Sequence, residues 1–111
     1  MYLCTMTEQA INILAEIKKT VVSFDPGAQI YLFGSRARDN FRPDSDWDIL
    51  ILLNKQHVNY QERKKIRNKL YQIELSAGQP ISAFVYSTGE WMNNQHDTPL
   101  FESVRSEGIQ L

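Results

Sequence analysis

Two short clusters hold residue types that can bind phosphate and metal together. Gly34-Ser35-Arg36-Ala37-Arg38 directly follows an apolar stretch, and ten residues after Ser35 comes Ser45-Asp46-Trp47-Asp48, which opens a second apolar run. A glycine in a turn lets backbone N–H groups approach a phosphate closely, and a helix start behind it aims its positive dipole end at the same anion. Arg36 and Arg38 would add positive charge beside that turn. Asp46 and Asp48 are two positions apart, so on an extended backbone both carboxylates point to one face of a sheet. Carboxylates that close repel, and a divalent cation relieves the repulsion. Mg²⁺ typically takes one or two protein carboxylates and fills its other positions with water and substrate phosphate oxygens. Each piece alone has a plainer reading: a tight turn, a solvated or cap-forming aspartate pair, a charged loop around Arg36, Arg38 and Arg42. Their order, strand to Gly-Ser to Arg-bearing loop to Ser-Asp-x-Asp to strand, argues for one compact site. The pattern is not a P-loop, which needs Gly-Lys-Ser/Thr after four intervening residues.

Regular elements must position these clusters. Between Thr7 and Phe24, Ala10, Ile11, Ile13, Leu14, Ile17, Val21 and Val22 form a helical stripe, with Thr7 as N-cap and Glu8 in the first turn. Asp25-Pro26-Gly27 ends that helix, because the Pro cannot continue it. Ala28 to Phe33 reads as a short buried strand, and Trp47 to Leu53, the most apolar run, as a central one. Tyr60 to Leu75 carries Ile66, Leu70, Tyr71 and Ile73 at helical spacing. Gly78-Gln79-Pro80 breaks that helix, and Ile81 to Tyr86 is a third strand. Two short helices follow, from Ser87 or Thr88 through Trp91 and from Pro99 to Glu107, with Gly108 at the C′ position of the last. The order predicts one α+β domain over 1–111, a small three- to four-stranded mixed sheet flanked by helices.

Composition narrows the function classes. The chain of 111 residues is long enough for a core without staples, and its net charge of −1 excludes a strongly basic nucleic-acid clamp or a polybasic membrane binder. The single Cys4 excludes an intrachain disulfide framework and a Cys-rich zinc site. With no apolar run of membrane-spanning length and no secretory leader pattern, the expected location is the cytoplasm.

Phe33-Gly34-Ser35-Arg36-Ala37-Arg38 followed by Ser45-Asp46-Trp47-Asp48-Ile49-Leu50 resembles the signature of the DNA polymerase β-like nucleotidyltransferase superfamily. The short chain is similar to its minimal nucleotidyltransferases, and the helix-strand order agrees over nearly the whole length. The resemblance implies the polymerase β-like fold and Mg²⁺-dependent transfer of a nucleoside monophosphate from an NTP such as ATP to a hydroxyl. It implies that Gly34 and Ser35 bind the triphosphate, with Arg36 and Arg38 as further nucleotide contacts. Asp46 and Asp48 would be the catalytic metal ligands. It also implies a separate helical partner of the HEPN type, with this domain as the antitoxin half of a toxin–antitoxin pair and the toxin as acceptor.

One departure bears on activity. Active members of that family commonly carry a third carboxylate on the next strand, and Gln79-Pro80-Ile81-Ser82-Ala83-Phe84-Val85-Tyr86 contains no acid. Ser82 stands near the expected position, while Glu74, the nearest upstream acid, falls on the helix with a solvated role expected. An alternative therefore stands beside the enzyme: a catalytically degenerate domain acting as a protein-interaction module. Trp47 should point into the core, His57 and His96 to the surface, and Arg63, Lys64, Lys65, Arg67 and Lys69 should form a solvated helix face. Pro99 to Ile109 reads as an apolar helix packing on the sheet or on another chain.

Overall fold

The structure is a computed structural model, and it describes residues 8–38, 42, 45–94 and 98–111. Helix α1 spans Glu8–Phe24 and buries Ala10, Ile13, Leu14, Ile17 and Val21. Ile11 and Val22, expected on that stripe, face outward, with Ile11 51% exposed. They sit one residue off the three-four repeat of the buried positions, which is about 100° around the helix. The Thr7 cap lies outside the described residues. Past the helix end, the Asp25 carboxylate accepts from Gly27 N–H at 3.0 Å and from Asn54 N–H at 2.7 Å.

Strand β1 (Gln29–Phe33) leads into a 3₁₀ turn over Gly34–Ala37, and β2 spans Trp47–Leu53. Helix α2 covers Tyr60–Ala77, β3 Ile81–Ser87, α3 Thr88–Asn94, α4 Pro99–Glu107 and β4 Ile109–Gln110. The α2 start is a capping box in which Asn59 Oδ1 accepts from Glu62 N–H and Glu62 accepts from Asn59 N–H. Its end is Gly78 at φ +69, the left-handed region open to glycine. The sheet runs β3-β2-β1-β4, with β2 parallel to β3 and antiparallel to β1. It is the mixed sheet expected, with four strands.

The end of α4 departs from the expected cap. Gly108 does not adopt the left-handed C′ conformation; its φ of −67° and ψ of 137° are extended. The chain leaves α4 directly into β4, pairing Ile109 with Leu32, and Leu111 N–H reaches the Ile30 carbonyl at 2.9 Å. Two residues are too few for strand periodicity to show in a sequence.

β2 is apolar on both faces because both are covered. Trp47, Ile49, Ile51 and Leu53 pack toward α1 and α2 with Ile17, Val21, Ile66 and Leu70. Leu50 and Leu52 face the other side, with Phe33, Trp91 and Val104 beneath α3 and α4. Strand alternation therefore assigns Asp48 to the α3/α4 face. Tyr71, expected on the inner stripe of α2, is 54% exposed, since Ile66, Leu70 and Ile73 already fill that stripe. Lys64, Lys65, Arg67 and Lys69 are exposed as expected, but Arg63 folds back and donates from Nε to the Val85 carbonyl at 3.0 Å. No helix among the described residues is long and apolar enough to cross a membrane.

Candidate functional site

Register brings the two sequence clusters to one edge of the sheet. Antiparallel pairing sets Phe33 opposite Asp48, and parallel pairing sets Ser82 opposite the same Asp48. The end of β1 and the starts of β2 and β3 therefore meet around one carboxylate.

Gly34 follows Phe33 at φ +75. A Cβ there would overlap Asp48 Oδ2 and lie 3.1 Å from Asp48 Cγ. Glycine thus serves two requirements at once: the left-handed backbone, and the space in which the Asp48 carboxylate lies against the turn. The turn closes with Arg38 N–H donating to the Ser35 carbonyl at 3.1 Å, and Ser35 is half-buried. Just ahead of β2, Arg42 N–H donates to Ser45 Oγ at 2.8 Å.

Arg36 takes a different direction from the other candidate residues. It is 4% exposed, with its guanidinium 4.4 Å from the centre of the Trp47 ring. Nε and Nη2 both donate to the Ser45 carbonyl, at 3.2 and 3.1 Å, and Nη2 also donates to Gln79 Oε1. Trp47 Nε1–H reaches the same Gln79 oxygen at 2.7 Å. Trp47 packs in the α1/α2 core as expected, so Arg36 lies on the side of the sheet away from Asp48. It fastens the Gly-Ser turn to the start of β2.

The remaining residues gather on the α3/α4 side. Ser82 Oγ donates to Asp46 Oδ2 at 3.1 Å, so the serine in register with Asp48 also touches Asp46. Arg38 pairs with Glu107 Oε2 at 2.7 Å, and Gly34 N–H donates to Glu107 Oε1 at 3.2 Å. No motif pointed to Glu107, whose only sequence signal was its place at the end of the last helix. Glu74, expected to be solvated, instead accepts from Ile81 N–H at 2.8 Å and fastens the start of β3. His57 is exposed and pairs with Glu90 at 3.1 Å, away from the site; His96 lies outside the described residues.

The electrostatics are those of a site short of positive charge. Burial pushes the Asp48 carboxyl above its ordinary pKa, the negative charges of Asp46 and Glu107 push the same way, and Arg38 pulls it down. Among the described residues no group of three or more His, Cys, Asp and Glu is gathered to hold a metal; the carboxylates this edge offers a cation are Asp46 and Asp48, linked through Ser82 by its hydrogen bond to Asp46 and its register with Asp48. Two carboxylates at an open edge, one destabilised as an anion, fit a Mg²⁺ ion that completes its shell with water and phosphate oxygens.

A family model described as nucleotidyltransferase domain matches residues 14–98. A chain in a crystal structure of a toxin–antitoxin with AMP-PNP is 22% identical, with a TM-score of 0.63 over 86% of this chain and 69% of that one. A chain in a mutant of the toxin–antitoxin MntA–HpeT is 21% identical, with a TM-score of 0.61 over 86% and 69%. Both likenesses are of fold. No protein in the curated set matches the chain. The match spans the strand-turn-strand unit that carries Gly34, Ser35, Asp46 and Asp48, and the chain belongs to the nucleotidyltransferase domain family.

Proposed function

We propose that this domain binds Mg²⁺ and an NTP at the Gly34 turn and transfers the nucleoside monophosphate to a hydroxyl of a partner protein. The observation that carries the reading is the fit of the Asp48 carboxylate into the space left by the missing Cβ of Gly34. That fit, with Asp48 against the Gly34 turn, supports a shared role for the two motifs; a plain turn and a solvated strand end have no need of such contact.

In this reading Asp46 and Asp48 hold the cation, while the Gly34 turn with Ser35 and Arg38 holds triphosphate oxygens. Arg36 acts at one remove, locking the turn onto β2 through Ser45. A bound Mg²⁺ would neutralise phosphate charge as it builds toward the transition state. The acceptor oxygen attacks the α-phosphorus, the bond to the bridging oxygen breaks, pyrophosphate departs, and the hydroxyl proton leaves to a base. Ser82 occupies the place of a third acid and cannot be that base near neutral pH. In this reading a group of the partner or solvent takes the proton. A toxin–antitoxin pairing is in keeping with the fold neighbours, which come from toxin–antitoxin structures; the reading adds a HEPN-type helical partner as acceptor and sets the reaction in the cytoplasm.

The test is transfer of label from each α-³²P-NTP to a co-expressed partner with Mg²⁺, for the wild type and for Asp46→Asn/Asp48→Asn. Label on the partner with the wild type alone supports the reading. A folded wild type that binds no Mg·NTP and transfers no label sinks it. That outcome favours the second reading, a non-catalytic module, which the serine at position 82 supports.

A further inference from the structure

We propose that Glu107 is a resident anion in the phosphate seat of the Gly34 turn, and that a triphosphate must displace it to bind. The inference rests on the nucleotide reading above and adds a regulatory residue that no motif contains.

Both oxygens of the Glu107 carboxylate are engaged by groups suited to a phosphate. Oε1 accepts from the backbone N–H of Gly34 at 3.2 Å, and Oε2 takes the Arg38 guanidinium at 2.7 Å. A backbone amide in a left-handed glycine turn beside a guanidinium is the donor set that holds an oxyanion. A carboxylate spanning the two is a mimic of one phosphate edge. It comes from 73 positions away in sequence, at the last residue of α4.

The contact is poised for exchange. The Glu107 side chain is only 21% exposed, and it shares Gly34 with a like charge: Oε1 takes the Gly34 N–H while Asp48 Oδ2 lies against the position a Gly34 Cβ would take. Two donors hold it in and a neighbouring carboxylate pushes it out. A triphosphate can take both donors with more charge than one carboxylate carries, and its cation would relieve Asp48 and Asp46 at the same time. The tether stays in place: Gly108 N–H holds the Val104 carbonyl at 2.8 Å, and Ile109 pairs with Leu32. Displacement is therefore a rotation of the Glu107 side chain at the α4–β4 junction.

Inorganic tripolyphosphate and Mg·ATP are the probes, by isothermal calorimetry on the wild type, Glu107→Gln and Glu107→Ala, each checked for folding by thermal melt. Removal of one partly exposed competing ion pair predicts binding tighter by about three- to tenfold in either variant. In the wild type, the side-chain carboxyl ¹³C resonance of Glu107 should move as tripolyphosphate is added. Variants that bind equally or more weakly, or a Glu107 resonance that stays still at saturation, overturn the inference and leave Glu107 as a brace of the turn. Wild-type binding of Mg·ATP with no gain in the variants overturns this inference alone. Silence of all three proteins toward both probes overturns it together with the nucleotide reading.

Discussion

Gly34 and Gly78 form a matched pair for testing whether the turn and the carboxylate share one space. Their φ values, +75° and +69°, are nearly equal. An L side chain in that region costs roughly 1–2 kcal/mol. A Cβ on Gly78 meets nothing within 4 Å, so Gly78→Ala carries that cost alone. On Gly34 it overlaps Asp48 Oδ2, with Asp48 Cγ at 3.1 Å and Cβ at 3.3 Å, so the carboxylate must leave its place. Overpacking of this kind typically adds about 1–3 kcal/mol. Gly34→Ala should therefore lose about 2–5 kcal/mol, out of a total on the order of 5–15 kcal/mol for a domain. Urea unfolding of the two variants reads the difference. A cycle with Asp48→Ala, which removes the overlapping oxygen, should return about 1–3 kcal/mol of coupling at Gly34. Under the proposed function, Gly78→Ala should also keep Mg·ATP binding while Gly34→Ala loses it. Equal destabilisation by both alanines, with no coupling to Asp48, would refute the claim that Gly34 is there to admit the carboxylate.

Three further outcomes follow from particular contacts. Arg36→Lys keeps the charge but loses the paired donation to Ser45 and the guanidinium over the Trp47 ring; stability should fall by about 1–2 kcal/mol in urea melts, and under the proposed function Mg·ATP affinity should fall with it as the turn shifts. Ser82→Asp puts a carboxylate in register with Asp48; if the proposed transfer occurs, label incorporation should rise about tenfold or more, and an unchanged rate would show that the missing acid does not limit it. Glu90 is desolvated, which raises its pKa, but hydrogen bonds from Ser87 and the charges of Arg63 and His57 outweigh that and leave it lowered. Its stabilisation is therefore complete above the ordinary carboxylate value of 4.5 and lost as pH falls through the lower folded value. Glu90→Ala should cost about 1 kcal/mol at pH 7, with the gap to the wild type closing in acid melts.

The elements that position the site were legible because each leaves a local mark. β2 is a seven-residue apolar run, α2 has a helical stripe between punctuating residues, and Gly-Ser with Asp-x-Asp is readable as a string. What stayed hidden depends on contacts between distant positions. Arg36 reads as one of three loop arginines, and only the packing of Trp47 and Gln79 draws its side chain to the far side of the sheet. Glu74 reads as a solvated helix acid until β3 presents the Ile81 N–H to it. Glu107 has no pattern at all; the α4–β4 return brings it to Gly34. Local propensity carries no information about which distant backbone amide a side chain will meet.

Under the proposed function, the order of events follows from charge. In the free domain Asp46, Asp48 and Glu107 crowd around the turn, and Arg38 is already engaged by Glu107. Arg36, which would raise the positive count, is spent on Ser45 and Gln79. A triphosphate offered without a cation would meet carboxylates at short range, where each like pair costs roughly 1–4 kcal/mol between water-like and surface-like screening. The single amide and guanidinium it could win are worth no more than that. A cation arriving with the phosphates would add attraction to both the carboxylates and the phosphates that offsets this repulsion, and the departure of Glu107 would then remove one of the three carboxylates. The same balance bears on Asp48, half-buried and with its pKa raised by burial and by Asp46 and Glu107: under the proposed function a bound cation would relieve that unfavourable charge.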